Sequence, residues 1–155
     1  YIMSITKEIW GNNIWYLFHT IAYKIKDDEF VNCKQDLIFI FTNICNNLPC
    51  PECSADANKT IQKINFDNIN TKYDFKILLY NFHNYVNKKL NKPEFDINML
   101  DIKYSKANID NIYNNFFIIF SSNSNIPQLM GSSFHRQQIY PKIKSILLNL
   151  KNKFE

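Results

Sequence analysis

Apolar residues recur along this chain at three- and four-residue intervals, the rhythm of helices packed by one face. Ile5, Ile9, Leu17, Ile21 and Ile25 predict a helix over 5–25, with Ser4 placed to cap it. Lys26–Val31 reads as a charged connection. Asn32 is then the expected cap of a second helix reaching about Asn47, with Leu37, Ile40, Phe41, Ile44 and Leu48 on its buried face. A third helix starts at the Cys50/Cys53 pair and runs to about Ile64, followed by a polar turn at Asn65–Asn70. Thr71 or Asp74 starts a fourth, which carries the stripe Phe75, Leu78, Leu79, Phe82, Val86 and Leu90 to about Asn91. Pro93 ends it. Phe95–Asp101 reads as irregular. Ser105 is the expected cap of a further helix containing Ile109, Ile112, Tyr113, Phe116 and Ile119. Ser121–Asn125 breaks the pattern, and Ile139–Phe154 is an amphipathic tail fitted to the body of the chain, a second subunit or a partner.

Composition narrows this picture. At 155 residues, 46% of them apolar, the chain has the size and the core of one domain. Two glycines and five prolines leave few breakers, as helices require. No apolar run approaches the roughly 18 residues of a membrane span. Met3 reads as a start, with no signal peptide after it. The 17 lysines, one arginine, 23 isoleucines and 23 asparagines follow AT-rich codons and carry no functional meaning. The net charge of +4 is diffuse, without a basic block or a nucleic-acid motif, which argues against nucleic-acid binding.

Four cysteines do not make a disulfide scaffold in a chain this long. Cys33 and Cys45 lie on one predicted helix, about 18 Å apart at roughly 1.5 Å per residue, too far to bridge each other. Cys45 reads as a small buried apolar side chain, and Cys33, near an exposed end, as the freer thiol. Cys50 and Cys53 are different. They occupy the first turn of a helix, with Pro51 where a helix tolerates proline. Unpaired N–H groups and the positive end of the dipole favour a thiolate there, the basis of a redox-active dithiol.

Two further sets call for partners. Gly11, Trp15 and His19 lie four apart and share a slowly drifting helical stripe. The plainer reading is an aromatic core stripe with a satisfied histidine. Yet a mid-helix glycine costs about 1 kcal/mol against alanine, so close approach to the backbone is the alternative. Tyr80, His83, Asn84 and Asn87 flank an apolar stripe and must meet either each other or a ligand.

Three segments together resemble the Erv/ALR family of FAD-linked sulfhydryl oxidases. Trp10-Gly11 through Thr20-Ile21-Ala22 is close to G-x-x-x-W-x-x-L-H-T-x-A, with Phe18 for leucine and Asn12 where arginine is common. Pro49-Cys50-Pro51-Glu52-Cys53 matches Y-P-C-x-x-C after its first residue. His83-Asn84-Tyr85-Val86-Asn87 through Pro93-Glu94-Phe95-Asp96 matches H-N-x-V-N-x-x-L-G-K-P-x-F-D, with Asn91 for the glycine. The resemblance spans about residues 8–105.

It implies an all-α fold, a four-helix bundle with a short fifth helix, over residues 1–122; the helical C-terminal extension over 123–155 is added to that core. It implies FAD held between helices. Gly11 and Asn12 would admit the cofactor, and Trp15 and His19 would offer flat surfaces. His83, Asn84 and Asn87 would hydrogen-bond it beside Val86 and Leu90. Lys88 and Lys92 would meet the pyrophosphate, and Lys103 and Tyr104 fall where the family has an Arg-Trp pair. The implied activity is a thiol oxidase. Cys50 exchanges with protein thiols or a partner dithiol shuttle, Cys53 passes electrons to the flavin, and oxygen becomes hydrogen peroxide. A homodimer is also implied.

This sequence departs from the family in three ways. The positions of a usual structural disulfide hold Tyr80 and Ile97, which implies that packing replaces the bridge. No second close cysteine pair can act as a shuttle, leaving substrate, a partner dithiol or Cys33 of another subunit as donor. The tail extends past the family core, as in members from large DNA viruses, which would place the protein in host cytoplasm or virion. The alternative is a binding module with a structural metal half-site built on Cys50, Cys53 and His19 or His83, or one that keeps a flavin without turnover.

Overall fold

The computed structural model describes residues 7–122 and 127–155, with the side chains of 127–132 excepted. Seven α-helices run through the described residues: α1 Lys7–Lys24, α2 Phe30–Asn46, α3 Pro51–Ile61, α4 Lys72–Lys89, α5 Leu100–Ser105, α6 Ile109–Ser121 and α7 Pro127–Leu150. The only extended pairing among them is an isolated bridge between Ile25 and Phe154. The fold is all-α, as expected. Helix α1 packs against α4, α5 and α6, while α2 packs on α3 and α7, and α6 on α7. Aromatic rings knot the helices together. Phe41 of α2 meets Phe18 of α1 at 5.3 Å and Phe82 of α4 at 5.5 Å, both edge-on.

Each boundary has a local cause. A 3-10 turn, Asp27–Glu29, leads directly into α2, so Asn32 lies inside that helix and caps nothing. Cys50 is the N-cap of α3, Pro51 follows it, and the helix stops at Ile61, a few residues short of the expected end. Thr71 and Asp74 form a reciprocal capping box at the start of α4. The other end of α4 is a Schellman motif. There Lys92 N–H reaches Asn87 O at 2.8 Å and Asn91 N–H reaches Lys88 O at 3.2 Å. Asn91 holds the left-handed conformation this ending needs, at φ 55°, which asparagine tolerates better than most residues. The segment expected to be irregular contains a further 3-10 turn, Ile97–Met99, and then α5. Asn108, not Ser105, caps α6, its side chain accepting from Asn111 N–H at 3.1 Å.

The buried face of α2 is the expected one, Leu37, Ile40, Phe41, Ile44 and then Leu48. That of α1 is so in part: Leu17, Ile21 and Ile25 are buried as expected, Ile9 is exposed, and Trp10, Ile14 and Phe18 also face inward. Ser4 and Ile5 lie outside the described residues, as do Met3 and positions 123–125 of the expected break.

The tail helix starts at Pro127, twelve residues before the amphipathic pattern that announces it. Its Ile143, Leu147 and Leu150 are buried in the common core. Tyr113 Oη of α6 donates to Leu147 O at 2.8 Å. The end of the chain is stitched to the end of α1, with Lys26 N–H on Lys153 O at 2.9 Å and Glu155 N–H on Lys24 O at 2.8 Å.

Cys33 and Cys45 are free and both buried. The freer-thiol reading of Cys33 is therefore corrected: the 3-10 turn and Lys153 close over that end of α2, and burial raises its pKa. Burial raises that of Cys45 further. Neither thiol is placed to exchange with a partner.

Candidate active site

The turn Leu48–Cys53 holds the cysteine pair. Cys50 and Cys53 form a disulfide with their Cα atoms 5.2 Å apart. Cys50 has the extended backbone of an N-cap. Its Sγ accepts Cys53 N–H at 3.2 Å. A thiolate released at Cys50 would keep that N–H and the helix dipole, both stabilising negative charge. Glu52 opposes it, its Oε2 3.7 Å from Cys50 Sγ.

Behind Cys53 opens a cavity of about 770 Å³ between α1, α3 and α4, closed at one end by α5. Gly11, Asn12 and Trp15 line it from α1, and His83, Val86, Asn87 and Leu90 from α4. Lys92, Lys103 and Tyr104 complete the expected set. Cys53 is on the wall and Cys50 is not, so the disulfide is two-faced, with one sulfur toward the cavity and the other away from it. At Gly11 an added Cβ would meet nothing within 4 Å, so the helix backbone stands open to the cavity there.

The aromatic groups form a layered block. The Trp15 and His83 rings stack at 3.9 Å with 5° between their planes. His19 Nε2 and His83 Nδ1 share a hydrogen bond of 2.9 Å, and Tyr104 stacks on His19 at 4.6 Å. Burial first, then the His83 and Lys103 charges, hold the His19 pKa down at about 3. Burial, then Lys103 and Lys92, hold that of His83 at about 4. Near neutral pH both are neutral, so one donates and the other accepts. The Lys103 ammonium lies over three rings, as a cation over π faces. It is 5.2 Å from the Tyr16 centroid, 5.3 Å from that of Phe95 and 5.5 Å from that of Tyr104.

Three expected contacts do not line the cavity. His19 sits one layer behind, against His83 and Tyr104. Asn84 faces the other way, its Nδ2 donating to Phe95 O at 3.2 Å and its Oδ1 accepting Phe95 N–H at 2.8 Å. Lys88, one turn after Asn84, shares that side of α4, and Lys89 reaches the cavity instead. Tyr80 Oη also donates to Phe95 O, at 2.7 Å. Hydrogen bonds therefore tie α4 to this segment where the family has a disulfide. Packing does not do so, since Ile97 is 42% exposed.

The cavity wall also includes Asp56, Ala57 and Thr60 of α3, which sequence reasoning missed. Their spacing from Cys53 places them on its helical face, and that signal was legible. Among the described residues no group of three or more His, Cys, Asp or Glu side chains could hold a metal ion. A metal half-site on Cys50 and Cys53 is not assembled here.

The sequence model of the Erv1/Alr family matches residues 12–106, the stretch that builds this cavity from α1 to α5. The chain belongs to the Erv1/Alr family. It is 32% identical over 93 residues to the putative FAD-linked sulfhydryl oxidase 096R of Invertebrate iridescent virus 3, covering 59% of this chain and 63% of that protein. It is 31% identical over 102 residues to the FAD-linked sulfhydryl oxidase ERV1 of Oryza sativa, covering 66% of this chain and 52% of that one. The FAD-linked sulfhydryl oxidase of African swine fever virus (isolate Tick/Malawi) is 34% identical over 83 residues, 54% of this chain and 69% of its own. The chain thus spans between half and two thirds of the first two relatives. No solved structure matches it. Helices α6 and α7 lie wholly outside the Erv1/Alr match. No helix among the described residues is long and apolar enough to cross a membrane.

Proposed function

We propose that this Erv1/Alr chain is an FAD-dependent sulfhydryl oxidase that forms disulfides in protein thiols and passes the electrons to oxygen. The observation that carries it is the disulfide with one sulfur on the wall of a large, aromatic and cationic cavity. The cavity fits the cofactor. Open space over Gly11 admits a ring beside the α1 backbone, Trp15 and His83 offer flat faces, and Lys92 and Lys103 offer charge to a pyrophosphate. Asn12, Val86, Asn87, Leu90 and Tyr104 would hold it from the remaining walls, with Lys89 beside Lys92. His19 would act through His83. Bound FAD supplies a two-electron acceptor that oxygen regenerates with formation of hydrogen peroxide.

The chain's own chemistry is thiol–disulfide exchange. A substrate thiolate attacks Cys50 Sγ; a new sulfur–sulfur bond forms there, the Cys50–Cys53 bond breaks, and Cys53 departs as thiolate. A second substrate thiolate attacks the substrate sulfur of the mixed disulfide and displaces Cys50. The substrate leaves as a disulfide, and two electrons remain on Cys50 and Cys53. The Cys53 N–H and the start of α3 favour Cys50 as leaving group. The burial of Cys33 and Cys45 supports substrate thiols or a partner's dithiol as the donor. Homodimerisation belongs to the same reading, and light scattering tests it.

Purified protein should release FAD on denaturation and consume oxygen with dithiothreitol. Cys53→Ser should keep the flavin and lose the oxygen uptake. Normal turnover by that variant would overturn the relay, and colourless, zinc-containing protein would favour the binding module.

A further inference from the structure

Arg136 is the chain's single arginine among 18 basic residues. It lies on α7, beyond the Erv1/Alr match, and is 3% exposed. Its Nη1 donates to Leu48 O at 3.4 Å. Leu48 N–H is held in turn by Ser54 Oγ of α3 at 2.8 Å. Both backbone groups of Leu48 are therefore held by side chains, two residues before Cys50. Helix α7 packs on α2, the helix that delivers the chain into this turn.

A buried guanidinium at Leu48 O does two things. It fixes the entry to the Pro49-Cys50-Pro51 turn, so Cys50 meets α3 in the N-cap conformation. It also sets a permanent positive charge behind that turn, where low dielectric lengthens its reach. Reduction of the disulfide creates negative charge at Cys50, with Glu52 opposing it and the α3 N-terminus favouring it. A fixed cation nearby stabilises the reduced form and makes the pair a stronger oxidant.

We propose that Arg136 is a positioning residue for the redox pair, through which the C-terminal helix sets the reduction potential of Cys50–Cys53. The role rests on the oxidase reading only in taking that pair as the redox centre. Oxygen uptake by the parent protein tests the oxidase reading separately.

The test equilibrates the full flavin-loaded chain in oxygen-free glutathione buffers and reads Cys50–Cys53 by thiol-trapping mass spectrometry. Two glutathione thiols become glutathione disulfide as the protein disulfide becomes a dithiol. Arg136→Met and Arg136→Gln should lower this equilibrium constant about threefold to tenfold, as expected for losing a nearby charge. Arg136→Lys, which keeps the charge, should return it toward the parent value. Tyr113→Phe loosens α7 through its bond to Leu147 O without touching Leu48, so it should lower the melting temperature and leave the constant unchanged. An unchanged constant in a folded Arg136→Gln overturns the proposal, and so does an equal shift in Tyr113→Phe. If neither uncharged variant folds, Arg136→Lys decides: a constant close to the parent's supports the role, and a displaced one overturns it.

Discussion

At the level of single residues, the site depends on small features whose meaning comes from their surroundings. Gly11 costs helix stability and leaves space in the cavity. Gly11→Ala should therefore stabilise the cofactor-free protein by about 0.5–1 kcal/mol. The added methyl intrudes where a bound ring would approach, so FAD affinity should fall. Chemical denaturation of stripped protein and flavin titration check the two signs, and tighter FAD binding would remove Gly11 from the site. The His19–His83 pair makes a prediction with acid. Both folded-state pKa values lie below the ordinary histidine value of 6.5, so the unfolded chain binds protons first. Stability from the pair is full above pH 6.5 and is lost as pH falls toward 4 for His83 and toward 3 for His19. Urea unfolding between pH 7 and 5 isolates this window from ordinary carboxylates, and His83→Gln should flatten the profile.

At the level of elements, helices were legible where the apolar stripe and a capping residue agreed. Helix α4 is the clear case, with the Thr71–Asp74 box at one end and the Asn91 turn and Pro93 at the other. Helix α2 kept its predicted face but not its cap, because a preceding 3-10 turn supplies the first hydrogen bonds without a side chain. The start of α7 was not legible, since apolar spacing before Ile139 is too sparse to mark a buried face. The cavity residues were read through resemblance, whereas the opposed sides of α4 follow from helical phase alone. His83 and Asn87 look inward, and Asn84 looks to Phe95. Asn84→Ala strips both backbone groups of Phe95 of this partner. It should cost about 1–3 kcal/mol, against about 1 kcal/mol for Tyr80→Phe. Both should also weaken FAD retention, because Phe95 leads to α5 and its Lys103 and Tyr104. Unaltered melting curves for both variants would refute this tie.

At the level of the whole molecule, the family-matched bundle and the two later helices share one core, because Phe116 and Phe120 of α6 and Ile143, Leu147 and Leu150 of α7 belong to the same buried cluster as Leu17, Ile21 and Phe41. The hydrogen-bonded clasp of Tyr80 and Asn84 on Phe95 has a consequence for where such a protein can operate. Among the described residues its scaffold contains no cystine besides Cys50–Cys53, so a reducing milieu can discharge those sulfurs without loosening the frame around them. Thermal melts in excess dithiothreitol and in oxidising buffer should then coincide, and the bundle should outlast each loss and return of its single crosslink.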